Sequence, residues 1–326
     1  MENIIKTKVI GVDINVDRTT VAVIDLRGMI LGKEFFATTD YPNVNNFVEA
    51  LSERIVTLAE ACGGYEEIRS VGISSPSANF MTGCLENAVN LPWKGVIPLA
   101  AMVRDRIGLA VALGNDAHIS ALGEQAFGLA HGMENFVVMS LGHGGVGSCF
   151  FSNGHPHLGA NGFAGEVGHC CMENGGRLCT CGRKGCLEEY ISNRGILKTA
   201  REVMETSSEP SMMRDLKELT VEAIGDCLDK GDALAKEVWR RTGFMLGIAL
   251  ANYATIINPE AIILTGELTK AYQWMMDAIT ESFNEHVFPN IHDRVKLVTS
   301  VIDDDERDVL GASVLAWKVK EYSLFL

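Results

Sequence analysis

Four side chains able to bind a soft divalent metal gather in one polar, glycine-rich stretch: His169, Cys179, Cys181 and Cys186. Zinc takes four tetrahedral ligands drawn from thiolate and imidazole. Cys179 and Cys181 are close enough in sequence to flank one ion. Cys186 returns after Gly182-Arg183-Lys184-Gly185, where glycine lets the backbone curl around a metal. Arg183 and Lys184 offset part of the charge of three thiolates. Incidental burial explains these cysteines poorly, because the segment offers little apolar sequence to bury them in. The expected set is therefore His169, Cys179, Cys181 and Cys186 around one structural zinc. Spacing alone leaves Cys170 and Cys171 open as substitutes for His169.

The rest of the chain limits what such a centre could serve. A length of 326 residues allows one large domain or two medium lobes. The formal net charge of −14 repels a phosphate backbone, so nucleic acid is not an expected partner. No apolar stretch is long and uncharged enough to span a bilayer, so no membrane is expected either. The opening residues MENIIKTK carry charge and do not read as a secretory signal. Nine cysteines in such a chain point to a reducing, cytoplasmic setting, where metal binding or burial accounts for them better than disulfides.

The elements that must position these residues follow from periodicity. Residues 9–12, 20–25 and 30–38 read as β-branched strands, and 43–62 as a helix with Phe47, Leu51, Ile55 and Leu58 at helical spacing. A strand is expected at 70–74, a helix at 99–106, a strand at 110–113 and a helix at 117–127. The pattern then restarts with strands at 136–141 and 147–151 and a turn at Asn153-Gly154. Helical patterns dominate from 194 to 257, with a polar interruption near 206–211, until Pro259 ends them. A strand at 261–264, a helix at 271–286, a strand at 295–298 and a helix at 309–320 complete the chain. Two strand-hairpin starts, each followed by helices and further strands, suggest an internally duplicated α/β fold.

Two motifs sharpen this reading. Gly165-Glu166-Val167-Gly168-His169, followed by Cys179-Thr180-Cys181-Gly182-Arg183-Lys184-Gly185-Cys186-Leu187-Glu188, resembles the signature of the ROK family of bacterial sugar kinases and sugar-responsive repressors. Asn90-Leu91-Pro92-Trp93 resembles that family's N-L-x-W element, and Asn115-Asp116-Ala117 its N-D-A element. The resemblance implies the duplicated actin/hexokinase-type (ribonuclease H-like) two-lobe fold with a zinc-binding loop. It implies an N-terminal lobe of 1–116, completed by the C-terminal helix at 308–326, and a C-terminal lobe of 117–307 carrying the zinc and sugar motifs. It also implies a homodimer. Only eight residues precede the first expected strand, so a glucokinase-like member without a DNA-binding domain is expected.

The resemblance assigns roles residue by residue. Asp116 matches the general base that takes a proton from the attacking sugar hydroxyl; read alone, it would be a helix N-cap. Asn90, Asn115, Glu166, His169 and Glu188 match positions that contact sugar hydroxyls. His169 would thus bind zinc through one ring nitrogen and face the sugar with the other. On the nucleotide side Asp13, Gly142, Gly144 and Gly266 match positions that hold the phosphates and Mg²⁺ of ATP.

That nucleotide side departs from the family pattern. Where a first phosphate loop would read D-x-G-G-T-K, the chain has Asp13-Ile14-Asn15-Val16-Asp17-Arg18. Val16 stands where a left-handed residue would be difficult, and Asp17 puts a carboxylate near a polyanion. At close range that repulsion is on the order of 4 kcal/mol at an effective dielectric of 20, unless a metal bridges the pair. Arg18 compensates in part. His143 replaces a threonine in Leu141-Gly142-His143-Gly144-Gly145-Val146-Gly147-Ser148, and Thr265-Gly266-Glu267 stands in place of G-G-G. The expected activity is ATP-dependent phosphorylation of glucose or a related hexose or N-acetylhexosamine. The alternative is a non-catalytic, sugar-binding regulatory protein with a degenerate ATP site.

Overall fold

The computed structural model describes residues 6–88, 90–142 and 145–319. The chain divides into two compact units. One comprises Met1–Gly132, Leu158–Phe163 and Val301–Leu326, the other Met133–His157 and Ala164–Ser300.

In the first unit β1 (Lys8–Ile14), β2 (Arg18–Asp25) and β3 (Ile30–Ala37) form an antiparallel meander. β4 (Ile68–Ser75) joins β1 in parallel. A small sheet of β5 (Ala78–Asn79), β6 (Cys84–Glu86) and β7 (Val96–Ile97) follows, and β8 (Ala110–Asn115) pairs in parallel with β4. The order is β3-β2-β1-β4-β8. The central β1 is covered on both faces and is buried almost throughout, whereas the edge strand β3 alternates between exposed and half-buried over most of its length.

Helix α1 (Val44–Ala61) starts where the Asn43 side chain accepts the Asn45 N–H at 2.9 Å. Its Phe47, Leu51 and Ile55 pack on one face of the sheet together with α2 (Leu99–Ile107). Each fully buried side chain of this size contributes about 1.5–3 kcal/mol. On the other face lies α9 (Asp304–Lys318), against which α3 (Asp116–Phe127) packs. Close approach demands glycine here: a Cβ on Gly72 would sit 2.0 Å from the Ala312 carbonyl oxygen, and one on Gly11 2.2 Å from that of Val309.

Two expectations change. Helix α9 begins at Asp304, five residues before 309, because the Asp303 carboxylate accepts the Asp305 N–H at 2.9 Å and three acids fill the first turn. The division expected between 116 and 117 falls after Gly132 instead, since α3 is packed on α9 within the first unit.

In the second unit β9 (Phe136–Gly142), β10 (Gly145–Ser152) and β11 (His155–Pro156) are again antiparallel, with β12 (Ala261–Thr265) and β13 (Lys296–Thr299) added in parallel. The expected helical region is three main helices, each with its own cap. Short α4 (Glu188–Ile191) leads into α5 (Asn193–Thr206), capped by Ser192. Thr220 caps α6 (Val221–Asp229), and Asp232 caps α7 (Ala233–Ile257), which stops at left-handed Asn258 before Pro259. Helix α8 (Tyr272–His286) packs along α7. The core joins these helices to Val137, Met139 and Leu141 of β9.

The second sheet has the order β11-β10-β9-β12-β13. Numbered within each unit, both sheets run 3-2-1-4-5, with the same senses of pairing. The duplication is thus explicit in the topology, and the fold is the duplicated actin/hexokinase type. No helix among the described residues is long and apolar enough to cross a membrane.

Candidate functional site

The cysteine-rich loop folds back on itself through two single antiparallel bridges, Cys171 with Cys186 and Leu178 with Lys184. At its tip the Cys179 N–H donates to the Arg183 carbonyl at 2.8 Å, and the Gly182 N–H to the Cys179 carbonyl at 2.9 Å. This brings the ligand atoms of His169, Cys179, Cys181 and Cys186 within 4.8 Å of one another. His169 Nδ1 is 3.7 Å from Cys179 Sγ, and Cys181 Sγ is 3.6 Å from Cys186 Sγ. A tetrahedral ion with ordinary Zn–S and Zn–N bonds requires S···S near ~3.8 Å and S···N near ~3.6 Å. The quartet therefore fits zinc.

Electrostatics agrees with that fit. The Arg183 backbone N–H, helped by its guanidinium, holds the Cys181 thiol down to about 6, while burial and the neighbouring thiols push Cys186 up to about 12. Three thiols this close do not all ionise without a further cation. Cys170 and Cys171, open alternatives on spacing, are not part of the group. Cys171 Sγ lies 3.7 Å from the Lys184 carbonyl, and Cys170 lies beside the buried Tyr253 phenol. Cys179 also approaches Glu188 and Glu189, but those carboxylates are taken up by Arg194 and Lys198.

The segment before the loop is anchored on β10. A Cβ on left-handed Gly165 would meet the Ser148 carbonyl oxygen at 2.5 Å, and the Ser148 hydroxyl donates to the Gly165 carbonyl at 2.7 Å. Val167 is buried, whereas Glu166 is exposed and His169 half-buried. With Nδ1 turned to Cys179, Nε2 is the remaining ring nitrogen of His169. Glu188 behaves differently from Glu166. It is 8% exposed, its Oε2 accepts the Val146 N–H at 3.2 Å, and Arg194 Nη2 donates to its Oε1 at 3.0 Å.

Of the expected nucleotide residues in this unit, Gly142 closes β9. Gly266 follows β12 with φ +96°, where a Cβ would lie 2.4 Å from the Leu141 carbonyl oxygen. His143 and Gly144 lie outside the described residues.

The first unit holds the other expected groups. Asp116 is the first residue of α3; the helix is capped by Asn115, whose Oδ1 accepts the Ala117 N–H at 3.0 Å. Asp116 Oδ1 accepts the same N–H at 2.8 Å. Burial nonetheless raises the Asp116 carboxyl above its ordinary value. Asp13, near the end of β1, is raised further by burial and then by Asp308 and Asp116. Asn15 Nδ2 donates to Asp13 Oδ2 at 2.7 Å, while the buried Oδ1 has no aligned hydrogen-bond partner among the described residues, with the Ser74 hydroxyl beside the carboxylate. A buried carboxylate oxygen of that kind suits a hard cation such as Mg²⁺. Asn90 is exposed and is followed by anchored residues: Leu91 and Trp93 are buried, and Trp93 Nε1 donates to the Tyr41 carbonyl at 2.9 Å.

The turn after Asp13 closes without glycine. The Asn15 N–H donates to the Arg18 carbonyl at 2.9 Å, and none of residues 15–18 is left-handed. The strain expected at Val16 therefore does not arise. Arg18 Nη2 donates to Asp305 Oδ1 on α9 at 2.7 Å in an exposed ion pair.

Comparison with known proteins decides the family. The sequence model of the ROK family matches residues 9–319. The chain belongs to the ROK family. The glucokinase of Halalkalibacterium halodurans is 30% identical to this ROK protein over 96% of the chain and 94% of its own length. The ROK family glucokinase from Streptomyces griseus, solved in complex with glucose and AMPPNP, superposes with a TM-score of 0.78 at 26% identity, covering 96% of this chain and all of that one. A ROK family transcriptional regulator, a homolog of the E. coli MLC protein, superposes with a TM-score of 0.84 at 26% identity, covering 96% and 78%. Sugar kinases and regulators thus both share this fold.

Sequence reasoning missed two arginines in the site of this ROK protein. Arg177 docks the cysteine-rich loop on α4 and α5. Its Nη1 donates to the carbonyls of Glu189 and Gly195 at 2.7 and 3.1 Å, its Nη2 to Thr199 Oγ1 at 3.0 Å, and its guanidinium covers the Tyr190 ring at 4.7 Å. Arg194 clamps Glu188 and Glu189. Position 194, six residues after Glu188 on a helix start, was a readable signal for the second; nothing local marks the first.

Proposed function

We propose that this ROK protein is an ATP-dependent hexose kinase. The observation that carries the reading is Asp116, a carboxylate at the start of α3 that burial makes more basic than usual, within the N-D-A element. In the reaction the Asp116 carboxylate accepts the proton of a sugar hydroxyl as that oxygen bonds to the γ-phosphorus and the bond to ADP breaks. Such a group contributes about 10²–10⁴ to the rate. Asn90, Asn115, Glu166 and His169 supply donors and acceptors for hexose hydroxyls, and Glu188 belongs to the same set.

Zinc in this reading is structural. It would be held by His169 Nδ1 and the three thiolates, fixing the tautomer of His169 so that Nε2 serves the sugar. Asp13 would hold Mg²⁺ of Mg-ATP, which supplies charge neutralisation at the transferred phosphoryl group, and the glycines at 142, 144 and 266 would leave room for phosphates to approach backbone N–H groups. The reading carries with it a homodimer, which sedimentation of the zinc-loaded protein tests.

A second reading, a sugar-binding regulator without phosphoryl transfer, is favoured by the turn at 15–18, which lacks glycine and has no left-handed residue. A coupled ADP-release assay over glucose, N-acetylglucosamine, N-acetylmannosamine, allose and fructose separates the two. Turnover of one sugar supports the kinase. Binding of a sugar by calorimetry, with no turnover and no binding of Mg-ATP in its presence, supports the regulator.

A further inference from the structure

The carboxylate of Glu188 occupies an unusual position for a residue assigned to a sugar. It is buried at the start of α4, two residues after the zinc ligand Cys186 and next to the fully buried Leu187. Its Oε2 accepts the backbone N–H of Val146 at 3.2 Å and fills the space a Cβ would need on Gly145, 2.3 Å from that point. Gly145 holds φ +126°, so only glycine leaves room for the contact. Gly145 and Val146 open β10, on the glycine hairpin of the nucleotide side. The other oxygen, Oε1, is held by Arg194 Nη2 at 3.0 Å, and the same nitrogen holds Glu189 Oε1 at 2.6 Å.

We propose that Glu188, held by Arg194, is the brace through which hexose binding and nucleotide binding are coupled, with Arg194 as its positioning residue. The kinetic consequence rests on the kinase reading; the brace itself does not. One side chain touches the nucleotide-side hairpin directly and is tied through the backbone to the metal loop that orients His169. A hexose that engages Glu188 or His169 therefore favours the arrangement in which Val146 is held. Linkage then requires the converse, that a nucleotide on the hairpin tightens hexose binding by the same factor. Arg194 is suited to the task because one guanidinium fixes two adjacent carboxylates. Glu189 keeps Lys198 as a partner when Arg194 is removed, so the helix junction retains a counter-charge.

The test uses the zinc-loaded full chain, its Arg194→Met and Arg194→Lys variants, and Glu188→Gln, which keeps the shape and removes the charge. Hydrogen exchange at the Val146 amide needs no catalysis. Loss of one charge-assisted hydrogen bond is expected to speed it about tenfold in Arg194→Met and in Glu188→Gln, with Arg194→Lys close to wild type. Calorimetry with AMPPNP and Mg²⁺, with and without glucose, is expected to show wild-type coupling of roughly five- to tenfold that falls toward unity in Arg194→Met. Unchanged Val146 exchange in both Arg194→Met and Glu188→Gln overturns the brace. Wild-type coupling retained in full by Arg194→Met, or absent from a wild type that binds both ligands, overturns the coupling. A wild type that binds no nucleotide overturns the kinase reading and the coupling, and Val146 exchange still decides the brace.

Discussion

Removing zinc should loosen the sugar site without unfolding the protein, and the size of the effect can be worked from the loop. In the proposed reading four groups, which lie within 4.8 Å of one another, would lose a common partner when the metal goes: His169 Nδ1 and the thiols of Cys179, Cys181 and Cys186. The base of the loop does not depend on them. Arg177 ties it to the Glu189 and Gly195 carbonyls and to Thr199, and the Leu187 N–H donates to the Cys170 carbonyl at 2.9 Å. Far-UV circular dichroism should therefore stay unchanged after chelation. What is released is the orientation and tautomer of His169, so one hydrogen bond to the sugar is weakened. A net contribution of about 0.5–1.5 kcal/mol for such a bond corresponds to roughly a two- to twelvefold rise in hexose Kd. Calorimetric titration of zinc-loaded, stripped and reloaded protein measures it, with metal analysis in parallel. Stripped protein that stays folded and binds hexose with the original Kd would refute the reasoning, because the metal would then be a staple with no part in recognition.

Other consequences concern the first unit. Asp13 is raised by burial and by two neighbouring acids, so its ionised form destabilises the folded state. The stability its neutral form allows is fully present below the unfolded value of 3.8 and is lost as pH rises through the folded value. Asp13→Asn should accordingly raise Tm at pH 8 in metal-free buffer, and the gain should vanish below pH ~4; an equal gain at both pH values would contradict the assignment. The same substitution should weaken Mg-ATP binding, measured by calorimetry. Gly72→Ala places a Cβ 2.0 Å from the Ala312 carbonyl oxygen, with backbone on both sides of the clash. It should cost more than about 3 kcal/mol, read as a lowered urea midpoint.

How far the sequence carries the account differs by element. Long periodic segments were legible: Phe47, Leu51 and Ile55 mark the buried stripe of α1, and the two strand-hairpin starts mark the duplicated sheets. Strands of two or three residues such as Ala78–Asn79 and Cys84–Glu86 carry too little pattern to read. The start of α9 was missed although Asp303 and the acids after it spell a helix N-terminus; the apolar stripe beginning at Val309 outweighed them. Helix α3 belongs with the first unit because of its packing on α9, a contact between distant segments that no local signal reports. At the site, the gathering of His169, Cys179, Cys181 and Cys186 could be read from motif and spacing. The commitment of Arg18 to Asp305, 287 residues away, and the Glu188 contact with Val146 could not, since both depend on tertiary placement.

The central claim is that Asp116 acts as the base in phosphoryl transfer to a hexose. Steady-state turnover of the hexose panel by wild type and by Asp116→Asn, both zinc-loaded and matched in circular dichroism, tests it most directly. The account predicts ATP-dependent turnover of at least one hexose by wild type and a fall in kcat of about 10²–10⁴ in Asp116→Asn, with hexose KM little changed. An active wild type with an equally active Asp116→Asn variant would contradict it.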